Sequence, residues 1–236
     1  AEAERIRNHE RRIAELESQA LTRVLGRVKN EGKEGSLVKE ELRRKRRLRK
    51  RIITITGKSG SGVSSTAREL AKRLNYRHFS SGDLLRRIAK DHGVSIEELN
   101  TLAEGDEAID REVDELTREL GEIGSRIVID SRLGYYWIHD SFKVYLTIDE
   151  NVAAERVHAL AEKGTRVGEK GETVPRILVS MQNRAESQKR RYQQNYGIDI
   201  TNTKPFNMVI DTGVHDMDAV VRKIIDEYRL WYGEDV

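Results

Sequence analysis

The chain predicts an α/β protein, a parallel sheet covered by helices, with a helical extension in front of it. Three observations carry that prediction. From residue 51 onward, short β-branched runs alternate with amphipathic helical stretches, as in parallel strands joined by helical crossovers. A glycine-rich turn, Gly57-Lys58-Ser59-Gly60-Ser61-Gly62, falls at the first strand-to-helix junction. Charge is also unevenly divided: residues 1–51 hold 17 Lys/Arg against 9 Asp/Glu, a balance of +8, whereas the whole 236-residue chain carries only +3.

The first 50 residues form the extension. Residues 3–29 read as a helix with a thin apolar stripe, Ile6, Ile13, Leu16 and Ala20, then Leu21, Val24, Leu25 and Val28. So narrow a stripe needs a partner surface. Asn30 to Gly35 breaks the helix, and a second one over 36–50 ends in Arg43-Arg44-Lys45-Arg46-Arg47-Leu48-Arg49-Lys50-Arg51. This block is either a solvated helical face or a contact for RNA, the ribosome or another polyanion, since dense Arg and Lys neutralise phosphates and release counterions. With no aromatic residue interleaved, base stacking by this block is disfavoured.

Beyond it, strands are expected at 51–56, 76–80, 126–130, 142–147 and 207–211. Helices are expected at 64–74, 83–91, 95–119, 151–162, 173–196 and 216–231. Sites on such sheets lie at the carboxyl ends of the strands, so the polar residues just after each strand matter most. After the first strand, the glycine turn and Ser64-Ser65-Thr66 at the next helix start have the register of a phosphate cradle. The pattern is GxxxxGK[ST] with Val63 in the lysine position, and Lys58 is the lysine inside the same loop that can reach back. A plain strand-to-helix turn is the competing reading.

After the second strand, Ser80-Ser81-Gly82-Asp83 precedes Arg86 and Arg87: Ser81 or Asp83 can cap the helix, and an arginine one turn on can meet a second phosphate. After the third, Asp130 is placed to hold Mg²⁺ or its waters, and Arg132 to clamp an anion in bidentate fashion or to pair with Asp130. Arg184, Arg190 and Arg191 form a last cationic cluster, behind a glycine-bearing stretch from Gly164 to Gly171 that can hinge over a phosphate site. The six histidines lack metal-ligand spacing, there is no cysteine, and the acidic residues show no paired-carboxylate signature. No apolar run approaches membrane-spanning length, and a cytoplasmic location is expected.

The segments ITGKSGSGVSST, SSGDLLRRIAKDHGVSIEELNTLAE, EAIDREVDELTRELGEIGSRIVIDSRLGYYWIH, FKVYLTIDENVAAERV, RAESQKRRYQQNYGIDI and FNMVIDTG occur in that order between Arg51 and about Trp231. Together they resemble the archaeal-type (type 2) cytidylate kinases among the P-loop nucleoside monophosphate kinases. The resemblance implies a three-layer P-loop kinase fold on a five-stranded parallel sheet over 51–236. It also implies a monophosphate-binding region at about 81–125 and an arginine-bearing lid at about 163–196. The implied reaction is ATP-dependent phosphorylation of CMP or dCMP with Mg²⁺. On that basis Gly57, Lys58, Ser59, Gly60, Ser61, Gly62, Val63, Ser64 and Ser65 would bind ATP. Ser64 and Asp130 would meet the metal, and Ser81, Asp83, Arg86 and Arg132 the acceptor. Lys58, Arg132, Arg184, Arg190 and Arg191 would assist transfer, with Arg156 a further contributor. Residues 1–50 lie outside the resemblance. The second reading is therefore a kinase-fold protein of little or no activity, serving as an RNA-binding or ribosome-associated component through Arg43, Arg44, Lys45, Arg46, Arg47, Arg49 and Lys50.

Overall fold

In the computed structural model, residues 50–94, 98–99, 101–102, 107–164 and 171–232 are described. The chain divides into two units, Ala1–Lys50 and Arg51–Val236. The expected helices over 3–29 and 36–50, the basic residues Arg43 to Arg49 and most of the Gly164–Gly171 stretch lie outside the described residues.

The second unit is built on one five-stranded sheet, β1 (Ile52–Gly57), β2 (Arg77–Ser80), β3 (Ile127–Asp130), β4 (Phe142–Thr147) and β5 (Met208–Asp211). The spatial order is β2-β3-β1-β4-β5, and every pairing is parallel. All six residues of β1 are buried because it is the middle strand, covered on both faces. A continuous β-branched run is what such a position requires. The strand extends one residue beyond the expected end, so that Gly57 itself pairs with Leu146.

The helices are α1 (Val63–Leu74), α2 (Ser81–Asp91), α3 (Glu107–Ile123), α4 (Gly134–Trp137), α5 (Glu150–Glu162), α6 (Val174–Tyr196) and α7 (Met217–Tyr232). Helix α1 buries Thr66, Ala67, Leu70 and Ala71, and α7 buries Val220, Val221, Ile224, Ile225 and Tyr228. These two stripes meet Ile53, Ile55, Val128, Val144 and Leu146 from the sheet to form the larger core. Ile52, Ile127, Ile129, Leu120 and Ile138 form a second cluster around α3, and α5 joins α6 through Ala153, Ala154, Val157, Ile177 and Met181.

Three expectations are corrected. The third helix does not end at 119 but runs to Ile123. Helix α4, a single turn immediately after the third strand, was not expected; it is too short to show a 3.6-residue period. The cap of α2 is neither Ser81 nor Asp83 but Ser80, whose hydroxyl accepts the Asp83 amide at 3.3 Å, so the helix begins earlier than its apolar pattern indicates.

The β1–β4 contact leaves no room at its carboxyl end. A Cβ on Gly57 would run into the Leu146 carbonyl oxygen and come within 2.9 Å of both Leu146 Cβ and Ser61 Oγ. Gly57→Ala is expected to lower stability by about 1–3 kcal/mol, the cost of parting a packed backbone. Urea denaturation of the two proteins measures it.

Candidate active site

At the carboxyl end of β1 the chain curls on itself. Lys58 N donates to Leu146 O at 3.0 Å, while Ser61 N and Ser61 Oγ both donate to Lys58 O at 3.1 and 2.7 Å. Gly60 and Gly62 have φ of 79° and 83°, a left-handed backbone that glycine adopts without strain. Gly62 is the N-cap of α1 and no side chain caps the helix, so the amides of its first turn are left for a ligand. A Cβ at Gly62 would meet nothing within 4 Å. The curl, the open space and the helix end fit an anionic phosphate chain.

Val63 does not face that space alone. Its side chain is partly buried against the larger core, so an apolar residue that packs on the sheet stands at the lysine position of the motif. Lys58 is exposed, with its ammonium 3.8 Å from Glu150 Oε1 on α5. Both side chains are about half exposed, and such a pair contributes only about 0–1 kcal/mol. Ser64 is the second residue of α1 and Ser65 is exposed beside it.

Arg132 lies at the mouth of the cradle. Its guanidinium donates to the carbonyl oxygen of Gly57, which binds the residue after β3 to the end of β1. Asp130 is buried at the end of β3, in register with Ile55, and its Oδ2 accepts the Ser80 hydroxyl at 3.1 Å. The bland expectation of an Asp130–Arg132 pair is therefore replaced by separate partners for each. Ser64 and Asp130 supply the hard oxygen donors that Mg²⁺ prefers, which fits the metal. Among the described residues, no group of three His, Cys, Asp or Glu forms a metal cluster.

The residues expected to meet the acceptor converge less. Ser81 is buried at the start of α2, while Arg86 pairs with Asp83 one turn away on the same helix and is exposed. Arg156 donates to Thr212 O at 2.7 Å and to Thr212 Oγ1 at 3.4 Å, just after β5. On α6 the arginines separate. Arg190 is exposed, and Arg184 is half-buried on the wall of a cavity of about 560 Å³ along α6, shared with Thr101, Asn183, Ser187, Gln188 and Arg191. Arg191, expected to act from a lid, is 7% exposed, and its Nε lies 3.0 Å from Asp110 Oδ2 on α3. An i to i+7 spacing puts Arg184 and Arg191 on one helix face, whereas Arg190 turns away.

Sequence reasoning missed the acidic side of this contact. Asp110 and Asp114 stand at i and i+4 on α3, both buried. Burial raises the Asp110 pKa, opposed by Arg191. Asp114 rises from 3.8 to about 6, chiefly through burial, opposed by the Tyr196 hydroxyl and the nearby Trp137 indole; Asp110 adds to the rise and Arg118 counters it. Burial likewise raises the Tyr192 and Tyr196 phenols beside them. The 4-residue spacing was visible, but it resembles the charged face of a solvated helix until α6 covers it.

Because the folded Asp114 pKa exceeds the unfolded value, the native state holds its proton where the unfolded chain has lost it. Its contribution therefore falls as pH rises from about 4 to 6, and the loss persists above that. Asp114→Asn is expected to be more favourable to stability at pH 7 than at pH 5, the two conditions differing by about 1 kcal/mol. Urea melts at both values check this; an equal effect at the two pH values would contradict it.

The comparisons agree with this geometry. The profile of the cytidylate kinase-like family matches residues 52–214. The chain is 34% identical over 182 residues to a cytidylate kinase of Natronomonas pharaonis, covering 75% of this chain and 90% of that protein. It is 36% identical over 165 residues to a cytidylate kinase of Methanothrix thermoacetophila, covering 70% and 90%. Among solved structures, a shikimate kinase of Bacteroides thetaiotaomicron superimposes with a TM-score of 0.53 at 14% identity, covering 75% of this chain and 97% of that one; this likeness concerns the fold alone. None of these relatives supports the ribosomal or RNA-binding reading of residues 1–50, and the family match begins after them. No helix among the described residues is long and apolar enough to cross a membrane. A glycine cradle at the end of the central strand, sealed by Arg132 and set in a 2-3-1-4-5 parallel sheet, places the chain on the P-loop kinase fold, and it belongs to the cytidylate kinase-like family.

Proposed function

We propose that the protein transfers the γ-phosphoryl group of ATP to CMP or dCMP. The observation that carries this reading is the meeting of an uncapped helix N-terminus and curled glycine loop with Arg132, which is fastened to that loop through the Gly57 carbonyl. One side chain thereby couples the donor cradle to the side of the sheet where the acceptor residues lie. The family membership and the cytidylate kinases named above favour the cytidine acceptor.

In this reading, residues Gly57 to Ser65 hold the donor phosphates through backbone amides and hydroxyls, with Lys58 as the loop's own cation. Ser64 and Asp130 hold Mg²⁺, which when bound offsets charge on the β- and γ-phosphates. Ser81, Asp83, Arg86 and Arg132 orient the acceptor phosphate. Arg184 and Arg191 line the cavity along α6, whose volume is within the range usual for small-molecule sites, while Arg190 is exposed on another face of the helix. An oxygen of the acceptor phosphate attacks the γ-phosphorus in line. The bond from that phosphorus to the β–γ bridging oxygen breaks, and ADP leaves with the electron pair. The protein supplies alignment and charge rather than a covalent intermediate.

A coupled assay with ATP, Mg²⁺ and each of CMP, dCMP, UMP and AMP tests the proposal. Turnover is expected with CMP and dCMP ahead of the other two, and no turnover above background with any acceptor would end it. Arg132→Ala is expected to lower kcat/KM on the order of 10²–10³-fold, as for loss of one preorganised donor. Circular dichroism establishes that the variant is folded.

A further inference from the structure

The absence of a lysine at position 63 leaves Lys58 as the cation of the loop, and the structure shows what holds it. Glu150 is the first residue of α5, yet it is not needed to cap that helix. Asp149 does so, accepting the Asn151 and Val152 amides at 2.9 and 3.3 Å. The Glu150 carboxylate is instead shared between two other elements. Oε1 faces the Lys58 ammonium at 3.8 Å, and Oε2 accepts Gln182 Nε2 of α6 at 2.9 Å. The first turn of α5 is also pressed onto the loop itself, since a Cβ on Gly60 would lie 2.8 Å from the Ala153 Cβ. Helix α5 is in turn packed on α6 through Ala153, Ala154, Val157, Ile177 and Met181. The carboxylate is thus held beside the rim of the cradle by elements that cannot easily retreat from it.

We propose that Glu150 is a positioning residue for the donor nucleotide: it holds Lys58 at the rim of the cradle and yields it to the triphosphate when ATP enters. The inference rests on the reading that the cradle takes ATP. Lysine is suited to the exchange, being a compact charge on a flexible stem with freely rotating donors. A long, half-exposed pair is easily given up, and a triphosphate bound by the loop amides presents several negative charges against the single one on Glu150. Gln182 keeps the carboxylate oriented after the lysine has left. Glu150 therefore competes with ATP, and its effect on affinity passes through Lys58 alone.

Calorimetric titration of the full chain with MgATP, for the unaltered protein, Lys58→Ala, Glu150→Gln and the double variant, tests this. Glu150→Gln is expected to tighten binding by about two- to fivefold, since it removes the competing charge and keeps a partner for Gln182. Lys58→Ala is expected to weaken it by about tenfold, and the double variant to match Lys58→Ala. Glu150→Asp, which preserves the charge, is expected to bind within about twofold of the unaltered chain. An unchanged affinity in Glu150→Gln, or the same tightening with and without Lys58, overturns the proposal while leaving the kinase reading intact. Failure of the unaltered chain to bind MgATP overturns both.

Discussion

The arrangement of the site depends on how tightly the backbone from Gly57 to Gly62 is held. A cradle made of amides works only if those amides are already aimed when the anion arrives, because a loop that must order itself loses much of its binding energy to conformational entropy. Here the loop is fixed on three sides: Leu146 receives the Lys58 amide, Arg132 grips the Gly57 carbonyl, and Ala153 abuts Gly60. The contacts come from β4 itself, from the stretch just after β3 and from the first turn of α5. The parallel order β2-β3-β1-β4-β5 makes this possible, since it brings the carboxyl ends of β3 and β4 to either side of the end of β1.

Much of this was legible because it is local. The β-branched run of β1, the glycines of the loop and the serines that open α1 are contiguous, and each residue type has one physical use at its position. The strands β3 and β4 were readable for the same reason. What escaped the sequence were contacts between side chains far apart in the chain. Nothing in the spacing of Glu150 and Lys58, or of Asp110 and Arg191, announces a partner; the first pair exists because α5 packs against the loop after β1, the second because α6 lies against α3. Helix α4 was missed because one turn is too short for a period, and Ser80 was overlooked as a cap because it still reads as the last residue of a strand.

The α3–α6 contact illustrates a buried charge pair whose role is mainly one of register. Taking Arg191 and Asp110 out of water costs energy that their attraction only partly returns, but removing one partner would strand the other. The pair therefore commits α6 to a single placement over α3, with Tyr192 buried beside it and Tyr196 reaching Asp114. A segment expected to move as a lid is thus anchored at its carboxyl-terminal end. Its amino-terminal part is held as well, by Ile177 and Met181, which are buried against Ala153, Ala154 and Val157 of α5.

The cations of the candidate site differ in what holds them, and that difference sets how much charge each could offer a phosphate. Arg132 is held by the Gly57 carbonyl and Arg156 by the carbonyl and hydroxyl of Thr212, all neutral oxygens that orient a guanidinium without cancelling its charge. Lys58, Arg86 and Arg191 are held by the carboxylates of Glu150, Asp83 and Asp110, which fix them in place but oppose their field. A preorganised site gains most from groups that are oriented and not neutralised, because no partner must be displaced when charge develops. By this criterion Arg132 and Arg156 are the cations whose charge is not opposed by a carboxylate partner. Of the carboxylate-held group, Arg191 is buried and anchored, so Lys58 and Arg86, on exposed stems, are the cations whose charge becomes available only when an incoming anion competes for it. With Val63 in the lysine position of the GxxxxGK[ST] pattern, the proposed reading changes the timing of the charge more than its amount: the loop's cation is Lys58, which the nucleotide would have to draw from Glu150.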